Sequence, residues 1–186
     1  VPYPNNIYFN EGGRIQLDTF AYNIQGSFVN RLLDTLKDNV EGFACAGTHY
    51  LTFNGPIDLG LLPTDGAASL ETDSVLGLVD VDLASPYFGT RYPVRWRFQS
   101  EETFYLPANT LAVRPVEGLA LRSQTTYALY VTKRIARRSE GFSEMVSPEP
   151  TGTTQLAWDS YAPLRASELE LDAIAVASVF TTMDAV

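Results

Sequence analysis

Apolar and polar residues alternate with period two over several short stretches, which predicts strands with one buried face. Residues 75–83 (VLGLVDVDL) set Val79, Val81 and Leu83 on one face and Asp80 and Asp82 on the other. Residues 92–99 repeat the pattern, with Val94, Trp96 and Phe98 inward and Arg95 and Arg97 outward. Residues 49–53 (HYLTF), 110–113, 125–135 and 177–182 read as further strands, and Tyr127, Leu129 and Val131 share one side of the longest.

Helical spacing is rarer. Phe28, Leu32 and Leu36, with Val29 and Leu33, form one apolar stripe over residues 27–38; Ser27 caps its start and Gly42 stops it. A second helix is predicted over 154–164, ending near Pro163. A third opens at Ser167, where Ser167 and Glu170 have the spacing of a capping box. Pro2 and Pro4 make the leading residues extended up to a turn at 10–13, and 139–154 reads as a long loop. The 13 glycines and 11 prolines are scattered, which punctuates many short strands rather than marking a linker. Strands dominate and two or three helices lie at the periphery, so the expected fold is mainly β, an antiparallel sandwich forming a single domain over residues 1–186.

Charge narrows the function classes. Asp and Glu number 22 against 13 Lys and Arg, a net charge of −9. That sign argues against nucleic acid as a partner, because such affinity comes mostly from Lys and Arg neutralising phosphates. No apolar run is long enough for a transmembrane segment. The single Cys45 excludes an internal disulfide, and the single His49 excludes a multi-histidine metal site. Few lysines (Lys37, Lys133) beside ten Tyr and ten Phe suit a secreted protein. The chain begins at Val1 rather than Met, which reads as a processed mature chain or a piece of a longer one.

Five groupings have chemical potential. A serine-hydrolase elbow needs Gly-x-Ser-x-Gly, and the nearest stretch, Gly141-Phe142-Ser143-Glu144-Met145, lacks the second glycine. Cys45 and His49, four apart, have the residue types of a thiolate–imidazole pair; the plainer reading is a small buried thiol beside a turn and a packed ring. Asp65, Glu71, Asp73, Asp80 and Asp82 offer the hard oxygens that calcium takes, with Asp73, Asp80 and Asp82 the metal candidates. Asp80-x-Asp82 starts like a calcium loop, but Ala84 and Ser85 break the pattern, and a solvated face paired with Arg95 and Arg97 competes. Apart from that calcium reading no cofactor is expected, and spacing alone leaves open a carboxylate pair of the kind glycosidases use. Lys133, Arg134, Arg137 and Arg138 form a candidate anionic-ligand patch, for a lipid head group or a phosphate; the alternative is a hairpin tip kept soluble by charge. Tyr3, Tyr8, Phe9, Tyr87, Phe88, Tyr92, Phe104 and Tyr105 are candidates for a sugar platform, or for ordinary core packing.

A set of phrases carries a family resemblance. They are Val1-Pro-Tyr-Pro-Asn-Asn-Ile-Tyr, Gly13-Arg-Ile-Gln-Leu, Glu41-Gly-Phe and Leu78-Val-Asp-Val-Asp. Gly89-Thr-Arg-Tyr-Pro-Val, Asn109-Thr-Leu-Ala-Val-Arg-Pro, Leu121-Arg-Ser-Gln-Thr-Thr-Tyr-Ala-Leu-Tyr-Val-Thr and Ser178-Val-Phe-Thr-Thr follow in order. Together they resemble the bacterial virulence-factor lipase N-terminal domain, the Ig-like N-terminal region of secreted or lipid-anchored hydrolases. The resemblance implies an Ig-like sandwich, with Tyr127 packed at a corner after a tight turn. It also implies a non-catalytic module that orients or supports a downstream hydrolase domain of the same polypeptide, in a protein that is secreted, periplasmic or lipid-anchored at the outer surface. None of its phrases is a catalytic motif, so no catalytic residue is carried over. A carbohydrate- or lipid-binding module at the cell surface is the alternative, and an enzyme using two carboxylates a third reading.

Overall fold

Among the described residues seven short strands arise, most of them where apolar residues recur every second position, and several stop at or just before Pro, Asn or Asp. A computed structural model describes residues 2–10, 12–16, 35, 37, 40–104, 106–150 and 152–184. Its strands are β1 (His49–Thr52), β2 (Leu76–Asp80), β3 (Arg91–Tyr92), β4 (Val94–Gln99), β5 (Thr110–Pro115), β6 (Thr126–Thr132) and β7 (Ile174–Thr181). They form two antiparallel sheets, ordered β1-β5-β4 and β3-β2-β6-β7. Assigned to the immunoglobulin letters, these orders are B-E-D and C′-C-F-G, with Tyr3 pairing Tyr50 of β1 where strand A would lie. The fold is thus the mainly β, Ig-like sandwich that the sequence predicts.

Leu51, Leu78, Val94, Leu111, Val113, Leu129, Val131 and Phe180 meet between the sheets and are essentially unexposed. In place of an inter-sheet disulfide the centre holds rings: Tyr127 stacks on Phe180 at 5.9 Å, and Tyr92 meets Tyr127 edge-on at 5.3 Å. The Tyr127 hydroxyl accepts the Arg122 backbone N–H at 3.0 Å, the corner expected for that phrase. Tyr127→Phe keeps the ring and orphans that N–H, so the urea midpoint should fall by the equivalent of about 1–2 kcal/mol. An unchanged midpoint would deny the corner any energetic role.

Both open seams of the sandwich are closed by chain. Along one, Asn6 grips β7: its Oδ1 accepts Thr181 N at 2.8 Å and its Nδ2 donates to Thr181 Oγ1 at 3.0 Å. Along the other, Ser69 Oγ accepts Val94 N at 3.0 Å, so the connection from β1 to β2 covers the β3–β4 step.

Several expectations need correction. Residues 92–99 are not one strand: the chain changes sheets at Pro93, which cannot donate to a ladder. The predicted faces of β4 hold nonetheless, with Val94 buried and Arg95 and Arg97 exposed. Residues 75–83 are not half-buried either, for every residue of β2 is buried. The cause is a third layer: the β6–β7 connection carries α1 (Glu140–Met145), α2 (Gln155–Asp159) and α3 (Ala162–Arg165) across the outer face of the four-stranded sheet. There Phe142, Tyr161 and Leu164 bury Val79, Ala128, Tyr130 and Val179. Residues 139–154 therefore include a helix, capped by Ser139 Oγ accepting Phe142 N at 3.2 Å. Residues 154–164 break into two helices, with Pro163 in the first turn of the second rather than at an end. No capping box forms at Ser167, whose hydroxyl donates back to Leu164 O at 2.7 Å; the chain enters β7 soon afterwards. Of the helix expected over 27–38, only Thr35 and Lys37 are described residues, and both are helical.

Candidate functional site, a basic cleft between two loops

At the end of β6 the chain turns sharply. Lys133 N donates to Ala173 O at 2.8 Å, and Ile135 N to Thr132 O at 3.3 Å, with the Ile135 side chain tucked into the core. The turn throws Lys133, Arg134, Arg137 and Arg138 toward Thr52 at the end of β1 and residues 53–57 that follow it. Together they wall a cleft of about 590 Å³, lined also by Phe53, Asn54, Ile57 and Val176. Among the described residues no carboxylate lines it.

The four cations differ in how they are held. Arg138 donates from Nε to Ile174 O at 2.8 Å and from Nη2 to Leu171 O, and its guanidinium lies over the Phe142 ring at 5.4 Å. The exposed Asp172 carboxylate stands 3.9 Å from Arg138 Nη1. Arg134 Nη1 donates to the Asp73 backbone carbonyl at 2.9 Å. The side chains of Lys133 and Arg137 are exposed and make no hydrogen bond or ion pair among the described residues. Two cations are thus fixed by carbonyls while two remain available. The patch predicted from sequence is one constellation.

The metal candidates do not converge. Asp73 lies before β2, whereas Asp80 and Asp82 lie at its far end. Asp80 is buried and spends its oxygens on Asp82 N at 3.0 Å and Ser85 Oγ at 2.6 Å. Asp82 holds Ala84 N at 2.9 Å and Thr126 N at 3.2 Å, joining its turn to the start of β6. Neither faces Arg95 and Arg97, which belong to the other sheet; Arg95 instead lies 3.4 Å from Glu117. Among the described residues no three His, Cys, Asp or Glu side chains group to hold a metal.

Cys45 and His49 have separate surroundings. His49 is wholly buried, 4.3 Å from the Phe180 ring centroid, and among the described residues neither ring nitrogen has a hydrogen-bond partner. Burial drives its pKa down to about 3, so the ring is neutral. Burial pushes the Cys45 thiol up, away from thiolate. The rings are likewise dispersed. Tyr3, Tyr8 and Phe9 pack around Phe43 and one another, Tyr92 is core, and Tyr87 lies under Arg122 at 4.6 Å. Phe104 is 76% exposed on another loop, and Tyr105 lies outside the described residues.

A neighbouring cleft of about 490 Å³ went unmarked in the sequence. Lined by Arg91, Tyr130, Thr132 and Lys133, it also holds Asp73 and Glu168 and so has mixed charge. Arg91 Nη2 donates to Tyr130 Oη at 2.6 Å, while Arg91 Nη1 and Thr132 Oγ1 are buried without partners. Gly77 makes this packing feasible, because a Cβ there would stand 2.6 Å from the Tyr130 ring. Isolated Arg, Tyr and Thr positions carry no sequence signal for such a meeting.

Comparison with known protein families, with curated proteins and with solved structures finds no match to this chain.

Proposed function

We propose that the chain is a non-catalytic Ig-like module of an extracytoplasmic bacterial protein, orienting or supporting a downstream hydrolase domain. The observation that carries this reading is where the resembling phrases fall. Leu121 to Tyr127 builds the tyrosine corner, Leu78 to Asp82 the central strand and its gripped turn, and Gly89 to Val94 the step between sheets. The side chains that support the resemblance are engaged in scaffold. Under this reading the purified chain hydrolyses no short-chain nitrophenyl ester, and a Gly-x-Ser-x-Gly stretch follows in its reading frame. Ester turnover by the chain that disappears in Cys45→Ser would overturn it.

A second reading, a module for cell-surface lipid, is favoured by one observation: the cleft around Lys133, Arg134, Arg137 and Arg138, with no carboxylate among its described lining residues, in a chain of net charge −9. Dispersed rings favour lipid over glycan as its ligand, since sugar recognition of the kind expected needs two or more open rings together.

A further inference from the structure

The basic cleft does not end at its cations. It shares Thr52, Ser139 and Val176 with a second cleft of about 280 Å³, so the two adjoin, a groove of two parts that meet at these residues. The second cleft is mainly apolar, walled by Ile7, Phe142, Met145 and Ala177 between the leading segment and α1. One end therefore offers exposed Lys133 and Arg137, with Arg134 and Arg138 fixed behind them. The other offers a hydrocarbon surface. The first cleft is within the size range of small-molecule sites.

We infer that this groove binds a single-chain anionic amphiphile, its phosphate or carboxylate head at Lys133 and Arg137 and its hydrocarbon chain along Val176 toward Phe142 and Met145. The inference rests on the lipid reading above and names the ligand class. Charge complementarity selects the head: a cleft lined by four cations and, among the described residues, no carboxylate attracts an anion, and its apolar walls strengthen the attraction. The adjoining apolar cleft selects the tail, because burying each methylene there adds to affinity what a free phosphate cannot gain.

Titration calorimetry on the whole chain tests this with dodecyl phosphate below its critical micelle concentration. Inorganic phosphate, dodecyl maltoside and phosphatidylglycerol vesicles serve as comparisons. Dodecyl phosphate should bind at least about tenfold more tightly than inorganic phosphate or the maltoside, and more weakly as salt rises. Lys133→Glu with Arg137→Glu, both at exposed positions, should weaken it by about tenfold or more without lowering the melting temperature. Met145→Asn should weaken dodecyl phosphate about fivefold and leave inorganic phosphate unchanged. Equal affinity for inorganic and dodecyl phosphate would overturn the amphiphile while leaving an anion cleft in place. Equal affinity for the maltoside, or binding to vesicles alone, would overturn the head-and-tail assignment. No binding of any of the four would overturn both the inference and the lipid reading beneath it.

Discussion

His49→Leu should make the protein more stable, and the gain should grow as the pH falls. In the folded chain the ring is sealed between β1 and Phe180 with both nitrogens unpartnered, and its pKa is held down to about 3 by burial. In the unfolded chain it titrates near 6.5. Above pH 6.5 the ring is neutral in both states, so its contribution is fully present. As pH falls from 6.5 toward 3 only the unfolded state takes up the proton, and stability drains away by about 1.4 kcal/mol per pH unit. Leu has similar volume, removes two unsatisfied polar atoms and cannot titrate. We expect a gain of about 1–3 kcal/mol near neutrality, widening by about 2 kcal/mol between pH 6.5 and pH 5. Urea unfolding of both proteins across that interval measures it, and most carboxylates titrate below it. Parallel stability curves would mean that the folded protein admits the proton to His49.

Phe180→Ala should cost more than any other single truncation considered. Its ring is wholly buried, touches both layers of the inter-sheet core, stacks against Tyr127 and meets His49 at a tilt. Removing it leaves a cavity that these two rigid rings cannot fill, a loss of about 3–5 kcal/mol. Set against a typical total of about 5–15 kcal/mol, that moves the chain to the edge of unfolding. Phe104→Ala is the control: at 76% exposure it should shift stability by no more than about 0.5 kcal/mol. Matched denaturation midpoints for the two variants would place the true core elsewhere.

The basic patch was legible because its four cations fall within a few residues of one another, where local sequence is a sufficient guide. What they face was not. Residues 52–57 come to them only because β1 and β6 lie in different sheets and end at the same pole of the sandwich. The three metal candidates do not gather at one point for a related reason. Asp80 and Asp82 sit together in sequence, but the turn after β2 has unpaired backbone N–H groups, and those groups take the carboxylate oxygens. Asp73 is separated from them by the length of a strand.

Period-two patterning alone determined most strands and the inward faces of Val94, Trp96 and Phe98, because each depends on side chains a few residues apart; the Tyr127 corner came from the resembling phrase that contains it. Tertiary structure alone decided that β2 and β6 are buried on both faces, that the chain changes sheets at Pro93, and that a cationic loop borders an apolar cleft. A strand's period reports which residues share a face. It is silent on what later lies against that face, and here the cover is a helical layer supplied from the distant β6–β7 connection.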